Sequence, residues 1–375
     1  LYMIKRTTIS ILSLLTALAV EAQDAAFKGN AMTDPNVHDP VMAFENGKYY
    51  IFSTGMGIDV MSSDDMRTWT REQSVFKFVP VKNDNPAPGE HRRRGMMMDR
   101  KESTIPLWAV DSIVGYHGHT WAPDISFHNG LWHLYYSCST FGKNRSAIGL
   151  AMNKTLDASS PDYKWNDMGP VIVSHQHQDN WNAIDPNLIV DAKKRPWLVF
   201  GSFWDGIQIV RLDKGDFKTP VTTPVTISRR LGGKVSFEDV NNKDNFTIEG
   251  GDTIEAGENA VEAPFIIKRG KYYYLFVSFD YCCRGQNSTY KTVYGRSKNV
   301  EGPYYDKSGK PMTKGGGTFL FGPDDDNFGI GHCSVYEFDK QWFFVSHAYR
   351  KNANGGAKLF VRRLSFDKKG WIVTE

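Results

Sequence analysis

Five stretches of this chain repeat one pattern: HDPVMAFENGKYYIFST (residues 38–54), WAPDISFHNGLWHLYYS (121–137), IDPNLIVDAKKRPWLVFGS (184–202), VEAPFIIKRGKYYYLFVS (261–278) and GHCSVYEFDKQWFFVSH (331–347). Each opens on a polar residue, usually near Pro, and continues as an apolar run, a turn and an aromatic-rich run. Branched and aromatic residues on both sides of a short turn are the chemistry of a β-hairpin. With Asp39, Trp121, Asp185, Glu262 and His332 as markers, the spacings are 82, 64, 77 and 70 residues, enough for four strands and loop insertions per unit. A further strand recurs in Ile58–Ser63, Ala147–Ala151 and Val293–Ser297. No 3.6-residue apolar period is sustained, and Gly and Pro punctuate nearly every window. The expected fold is therefore all-β, a five-bladed β-propeller over residues 23–375 as one domain.

Lys and Arg exceed Asp and Glu by only three (45 against 42), so no nucleic-acid or membrane-surface partner is implied. Met3-Ile4-Lys5-Arg6 is a short basic start, Ile9–Val20 is apolar, and Ala17–Ala22 offers small residues for cleavage. This reads as a signal peptide over residues 1–22, with cleavage after Ala22 and a secreted or periplasmic product. No later run is long enough to span a membrane. Export permits disulfides, and the adjacent Cys282 and Cys283 could be bridged or free. Without a C-x-x-C pair, a structural zinc site is not expected.

In a propeller the first strand of every blade begins near the axis, so distant carboxylates at blade starts converge. Asp39 in HDP, Asp185 in IDP and Glu262 in VEAP are read as sharing one repeat position, with His332 at the start of the fifth unit. Like charges focused on an axis repel and must be offset, which sets them apart from ordinary turn residues. The Asp324-Asp325-Asp326-Asn327 run lacks the ligand spacing of a calcium loop and reads as solvated. His175 and His177 read as surface residues.

The strings VHDPVM (37–42), HTWAPDI (119–125), STFGKNRSAIGLA (139–151), WNAIDPN (181–187), FGSFWDGI (200–207) and VEAPFI (261–266), with the run over 282–297, resemble glycoside hydrolase family 43. The likeness is strongest to its arabinan endo-1,5-α-L-arabinosidases and extends from about Val37 to Trp371. It implies the five-bladed fold, arabinan or arabino-oligosaccharide as substrate, and hydrolysis with inversion. Asp39 would be the general base, Glu262 the general acid, and Asp185 the carboxylate that raises the acid's pKa. Trp121 and Phe141 would be sugar platforms, while His38, Asn182 and Ser202 would hydrogen-bond sugar hydroxyls. Arg296 would offset the acidic centre. His332 would hold a largely water-coordinated Ca2+, an unusual site because calcium prefers oxygen ligands. The insertion over 80–118 could wall one end of the cleft and convert internal cutting to end-trimming. The alternatives are an exo-acting α-L-arabinofuranosidase or β-xylosidase of the same family, a non-catalytic oligosaccharide-binding propeller, and a retaining fructan hydrolase, whose opening motif HDPVM does not resemble.

Overall fold

The computed structural model describes residues 34–81, 98–232, 245–247, 253–255 and 259–374. The leader read over residues 1–22 and the Arg- and Met-rich part of the insertion (82–97) lie outside the described residues. No described helix is long and apolar enough to cross a membrane.

Antiparallel strands dominate, and they follow one another as meanders. The first comprises β1 (Val41–Glu45), β2 (Lys48–Ser53), β4 (Asp59–Ser63) and β5 (Thr70–Arg71), with β3 (Gly55–Met56) pairing onto the second. The second is β6 (His119–His128), β7 (Leu131–Cys138), β8 (Ser146–Asn153) and β9 (Asn166–Ser174). The third is β10 (Asn187–Val190), β11 (Pro196–Phe200), β12 (Ile207–Arg211) and β13 (Val225–Ser228). After a small hairpin, β14 (Asn245–Thr247) with β15 (Thr253–Glu255), comes the fourth: β16 (Val261–Arg269), β17 (Tyr272–Phe279), β18 (Lys291–Ser297) and β19 (Thr318–Phe321). The fifth is β20 (Asn327–Phe338), β21 (Gln341–Arg350), β22 (Gly356–Phe366) and β23 (Ile372–Val373).

Apolar cores lie between successive meanders. Phe52 meets Leu134 and Tyr136; Ile148 and Leu150 meet Leu198 and Phe200; Val199 and Ile209 meet Leu275 and Val277. Phe276 and Tyr294 meet Phe344 and Phe360, and Ile51 with Met61 meets Val345 and Val361, returning to the first unit. A sheet covered on both faces has no polar side, which is why β7 and β17 read as near-continuous apolar runs rather than alternating ones. The first strands touch in the same circular order: β1 with β6, β6 with β10, β10 with β16, β16 with β20, and β20 with β1. The Leu359 N–H donates to the Pro35 carbonyl at 3.0 Å, so the N-terminal segment is tied to the last meander.

Within each first strand, or two residues before it, lies one non-glycine residue in the left-handed region: Asp39 (φ 54°), Ala122 (39°), Asp185 (58°), Ala263 (56°) and His332 (51°). Such a conformation costs about 1–3 kcal/mol unless its surroundings hold it. Here side chains hold the N–H groups: Thr54 Oγ1 accepts from Ala122 at 2.8 Å, Ser137 Oγ from Asp185 at 3.0 Å, Ser278 Oγ from His332 at 2.8 Å, and His347 Nδ1 from Asp39 at 3.1 Å. Each of these acceptors is the last residue of one of the repeated strings. The register corrects one sequence expectation. In VEAP the left-handed residue is Ala263, so Glu262 matches His38, Trp121, Ile184 and Gly331 rather than Asp39 and Asp185.

Candidate active site

A cavity of about 880 Å³ opens over these strand starts. His38, Asp39, Trp121, Phe141, Asn182, Asp185, Ser202, Glu262 and His332 all line it. Its outer wall comes from the loops carrying Thr140–Asn144, Gln176–His177, Phe203–Trp204 and Tyr281–Arg284. The described part of the insertion does not line it. Ile105, Ala109, Ile113 and Tyr116 are instead buried in the core between the first two meanders. His175 and His177 are both exposed, and His177 stands on the rim.

Asp39 is a carboxylate surrounded by donors. Its Oδ1 lies 3.1 Å from His38 Nδ1 and 2.9 Å from His332 Nδ1, and Thr54 Oγ1 donates to Oδ2 at 2.5 Å. Burial by itself raises its pKa, but His332 and His38 outweigh that and hold it well below the usual carboxylate range. Burial also works against charge on His332, yet Asp39 and Asp185 push its pKa up to about 9. The cation at the acidic centre is thus His332. Arg296, expected there, lies elsewhere: it stacks on Trp371 at 3.7 Å and Tyr272 at 4.3 Å and donates to the Lys369 carbonyl. Trp371, at the far C-terminus of the sequence, captures it.

Asp185 is different. One oxygen accepts the Ala263 N–H at 3.1 Å, and among the described residues its carboxylate makes no other hydrogen bond and has no cationic partner in contact. Burial pushes its pKa up to about 8 against the pull of His332, with Glu262 and Asp39 adding like charge. The Glu262 carboxyl is likewise raised by burial, although the Tyr290 hydroxyl donates to Oε1 at 2.7 Å and Ser202 Oγ to Oε2 at 2.8 Å. Ser202, expected to meet a sugar hydroxyl, is therefore turned onto the acid. Asn182 is buried and its Oδ1 accepts from Ser146 Oγ at 2.6 Å. Trp121 is anchored by its indole N–H on His119 Nδ1 at 2.8 Å, whereas the Phe141 ring is 78% exposed at the mouth.

The site also contains residues that the sequence reading passed over. Tyr290 is fully buried beneath Glu262, and His347 and Tyr349 lie behind His38. Thr54 and His347 end their repeated strings, and that shared place was the signal available for them. Cys282 and Cys283 are joined as a vicinal disulfide in the cavity wall, and Cys138 and Cys333 are buried thiols. His38, Asp39 and His347 each offer a ligand atom within 4.8 Å of one another, a group that could hold a metal ion.

The family described as "Glycosyl hydrolases family 43" matches residues 100–372. The chain is 41% identical over 337 residues to the extracellular exo-α-(1→5)-L-arabinofuranosidase ArbA of Cellvibrio japonicus, covering 90% of this chain and 85% of that one. It is 38% identical over 353 residues to the extracellular endo-α-(1→5)-L-arabinanase 1 of Bacillus subtilis, covering 93% and 90%. Among solved structures, the exo-1,5-α-L-arabinanase from a bovine ruminal metagenomic library is similar, with 55% identity, 92% and 98% coverage and a TM-score of 0.77.

Proposed function

The chain belongs to glycosyl hydrolases family 43, and from that premise we propose that it hydrolyses α-1,5-linked L-arabinofuranosyl bonds of arabinan with inversion. The observation that carries this reading is one cavity in which Asp39 is ringed by donors that lower its pKa while Asp185 and Glu262 lie buried with their pKa values raised. Asp39, kept ionised by its donors, is the general base that takes a proton from the attacking water. Glu262, raised by burial, is the general acid that protonates the departing glycosidic oxygen. Asp185, tied to the Ala263 N–H beside Glu262, adds the like charge that keeps a proton on the pair. Trp121 and Phe141 offer flat faces to the apolar side of a furanose ring, and Asn182 offers polar contacts to its hydroxyls.

The five meanders are read as the blades of a five-bladed propeller, supported by the circular contacts of the first strands and the cores between neighbours. Export is supported by the extracellular relatives together with the leader-like N-terminus. A largely water-coordinated calcium ion belongs to the same reading. His332 fits it in one form only: its Nδ1 faces Asp39, so Nε2 is the one nitrogen left for an ion, and the ring must then be neutral. A bound cation and a protonated ring both put positive charge at the same point.

End-trimming is the second reading, favoured by the 55% identity to the ruminal exo-enzyme. Digestion of linear debranched arabinan with product sizing over time separates the two. Mid-length oligomers appearing early indicate internal cutting, and a single short product from the outset indicates exo action. Inactivity on arabinan, with turnover of aryl xyloside alone, overturns the substrate assignment.

A further inference from the structure

Behind His38 a run of hydrogen bonds has only one consistent placement of its protons. The Asp39 N–H donates to His347 Nδ1 at 3.1 Å, so that nitrogen carries no proton. His347 is fully buried and burial keeps its imidazole neutral, which puts its proton on Nε2, 3.2 Å from the Tyr349 hydroxyl. The 3.7 Å approach of His347 Nδ1 to Asp39 Oδ1 is therefore no ion pair. The Tyr349 oxygen accepts from His347 and, at 2.7 Å, from the Cys283 N–H, which fills both of its lone pairs. Its own proton has two neighbours to choose from, His38 Nε2 at 2.9 Å and Cys283 Sγ at 3.9 Å, and the shorter contact to nitrogen wins. His38 Nε2 is then the acceptor, and Nδ1–H points to Asp39 Oδ1 at 3.1 Å.

We infer that His347 and Tyr349 are positioning residues that fix the tautomer and ring orientation of His38 and thereby aim the Asp39 carboxylate. The loop begins and ends on one residue: Asp39 donates its backbone N–H to His347 and receives the His38 N–H on its side chain. Stacking of the His38 and His347 rings, centroids 4.0 Å apart, holds the two imidazoles together while Tyr349 bridges their far nitrogens. The vicinal disulfide enters through the Cys283 N–H, so the cavity wall and the base share one hydrogen-bond network. His38 thus serves the carboxylate rather than a sugar hydroxyl. With both lone-pair nitrogens engaged, the His38, Asp39 and His347 group holds no metal ion while the network is intact.

This inference rests on Asp39 being the base, and the tests separate the two. Tyr349→Phe keeps the ring and removes the bridge, and kcat on linear arabinan should fall about 10- to 100-fold with KM within about twofold. In a His38→Ala background the same change should cost less than about twofold further, because the network is already cut. His347→Gln, which offers one acceptor and one donor, should recover kcat relative to His347→Leu. Nitrogen-15 NMR of the wild-type protein, independent of any variant, should find His38 protonated on Nδ1 and bare on Nε2. Wild-type kcat in Tyr349→Phe, full multiplicativity with His38→Ala, equal kcat in the two His347 variants, or the opposite His38 tautomer each overturns the network. If Asp39→Asn itself retains activity, it is the assignment of the base that falls.

Discussion

Asp39 and Asp185 occupy the same place in two different meanders. Both precede Pro, both adopt the left-handed conformation, and both have their N–H held by a side chain on a second strand. Their side chains nevertheless lie in opposite electrostatic settings. Asp39 receives two imidazole nitrogens and a hydroxyl and stays ionised; among the described residues Asp185 receives one backbone N–H, and it is pushed up to about 8. A shared backbone device places both acids at the floor of the cavity. What each does there is decided by the side chains around it, such as His332 from the fifth meander and Thr54 at the end of Asp39's own string.

The widest test of that contrast is to remove the chemistry at each end. Asp39→Asn and Glu262→Gln should each lower kcat on linear arabinan by about 10²- to 10⁴-fold, the usual range for a positioned acid or base. Steady-state kinetics on both variants checks it, and near-normal turnover in either would dissolve the assignment of roles.

Asp185→Asn sharpens the comparison through pH. A general acid works only while protonated, so activity is lost as pH rises through the pKa of the Asp185/Glu262 pair, which burial holds above the usual carboxylate range. Removing one carboxylate removes the like charge that favours retention of the proton. The alkaline limb of kcat/KM should therefore move down by about one to two units. An unchanged or upward-shifted limb would show that Asp185 does not tune the acid.

Thr54 ties the Asp39 carboxylate to the second meander, since its Oγ1 donates to Asp39 Oδ2 and accepts the Ala122 N–H. Thr54→Val leaves that amide unpaired and should cost about 1–3 kcal/mol in denaturant unfolding, while Thr54→Ser should largely restore it. The smallest effect is expected at the cavity wall. Trp121→Ala should raise KM about tenfold, roughly 1.4 kcal/mol of binding, with kcat little changed.

Much of this was legible in the residues themselves. The repeated strings announce the five hairpins because strands packed on both faces must be apolar throughout, as β7 and β17 are. Every residue singled out for the site except Arg296 lines one cavity, since convergence of strand starts follows from the repeat. The one-residue offset of Glu262 was not legible, because which residue of VEAP turns left-handed is a property of the backbone rather than of the letters. Arg296 went astray for a similar reason: its partners Tyr272 and Trp371 lie in other strings and in the C-terminal tail. That Ser202 donates to Glu262 at 2.8 Å was not legible either, because nothing in FGSFW names the acid beside it.

The most direct measurement of the central claim is the anomeric configuration of the first product released from linear α-1,5-arabinan, followed by NMR before mutarotation. An ionised base and a protonated acid acting on opposite faces of the sugar predict β-L-arabinofuranosyl product. Initial release of the α anomer would contradict the division of labour between Asp39 and Glu262.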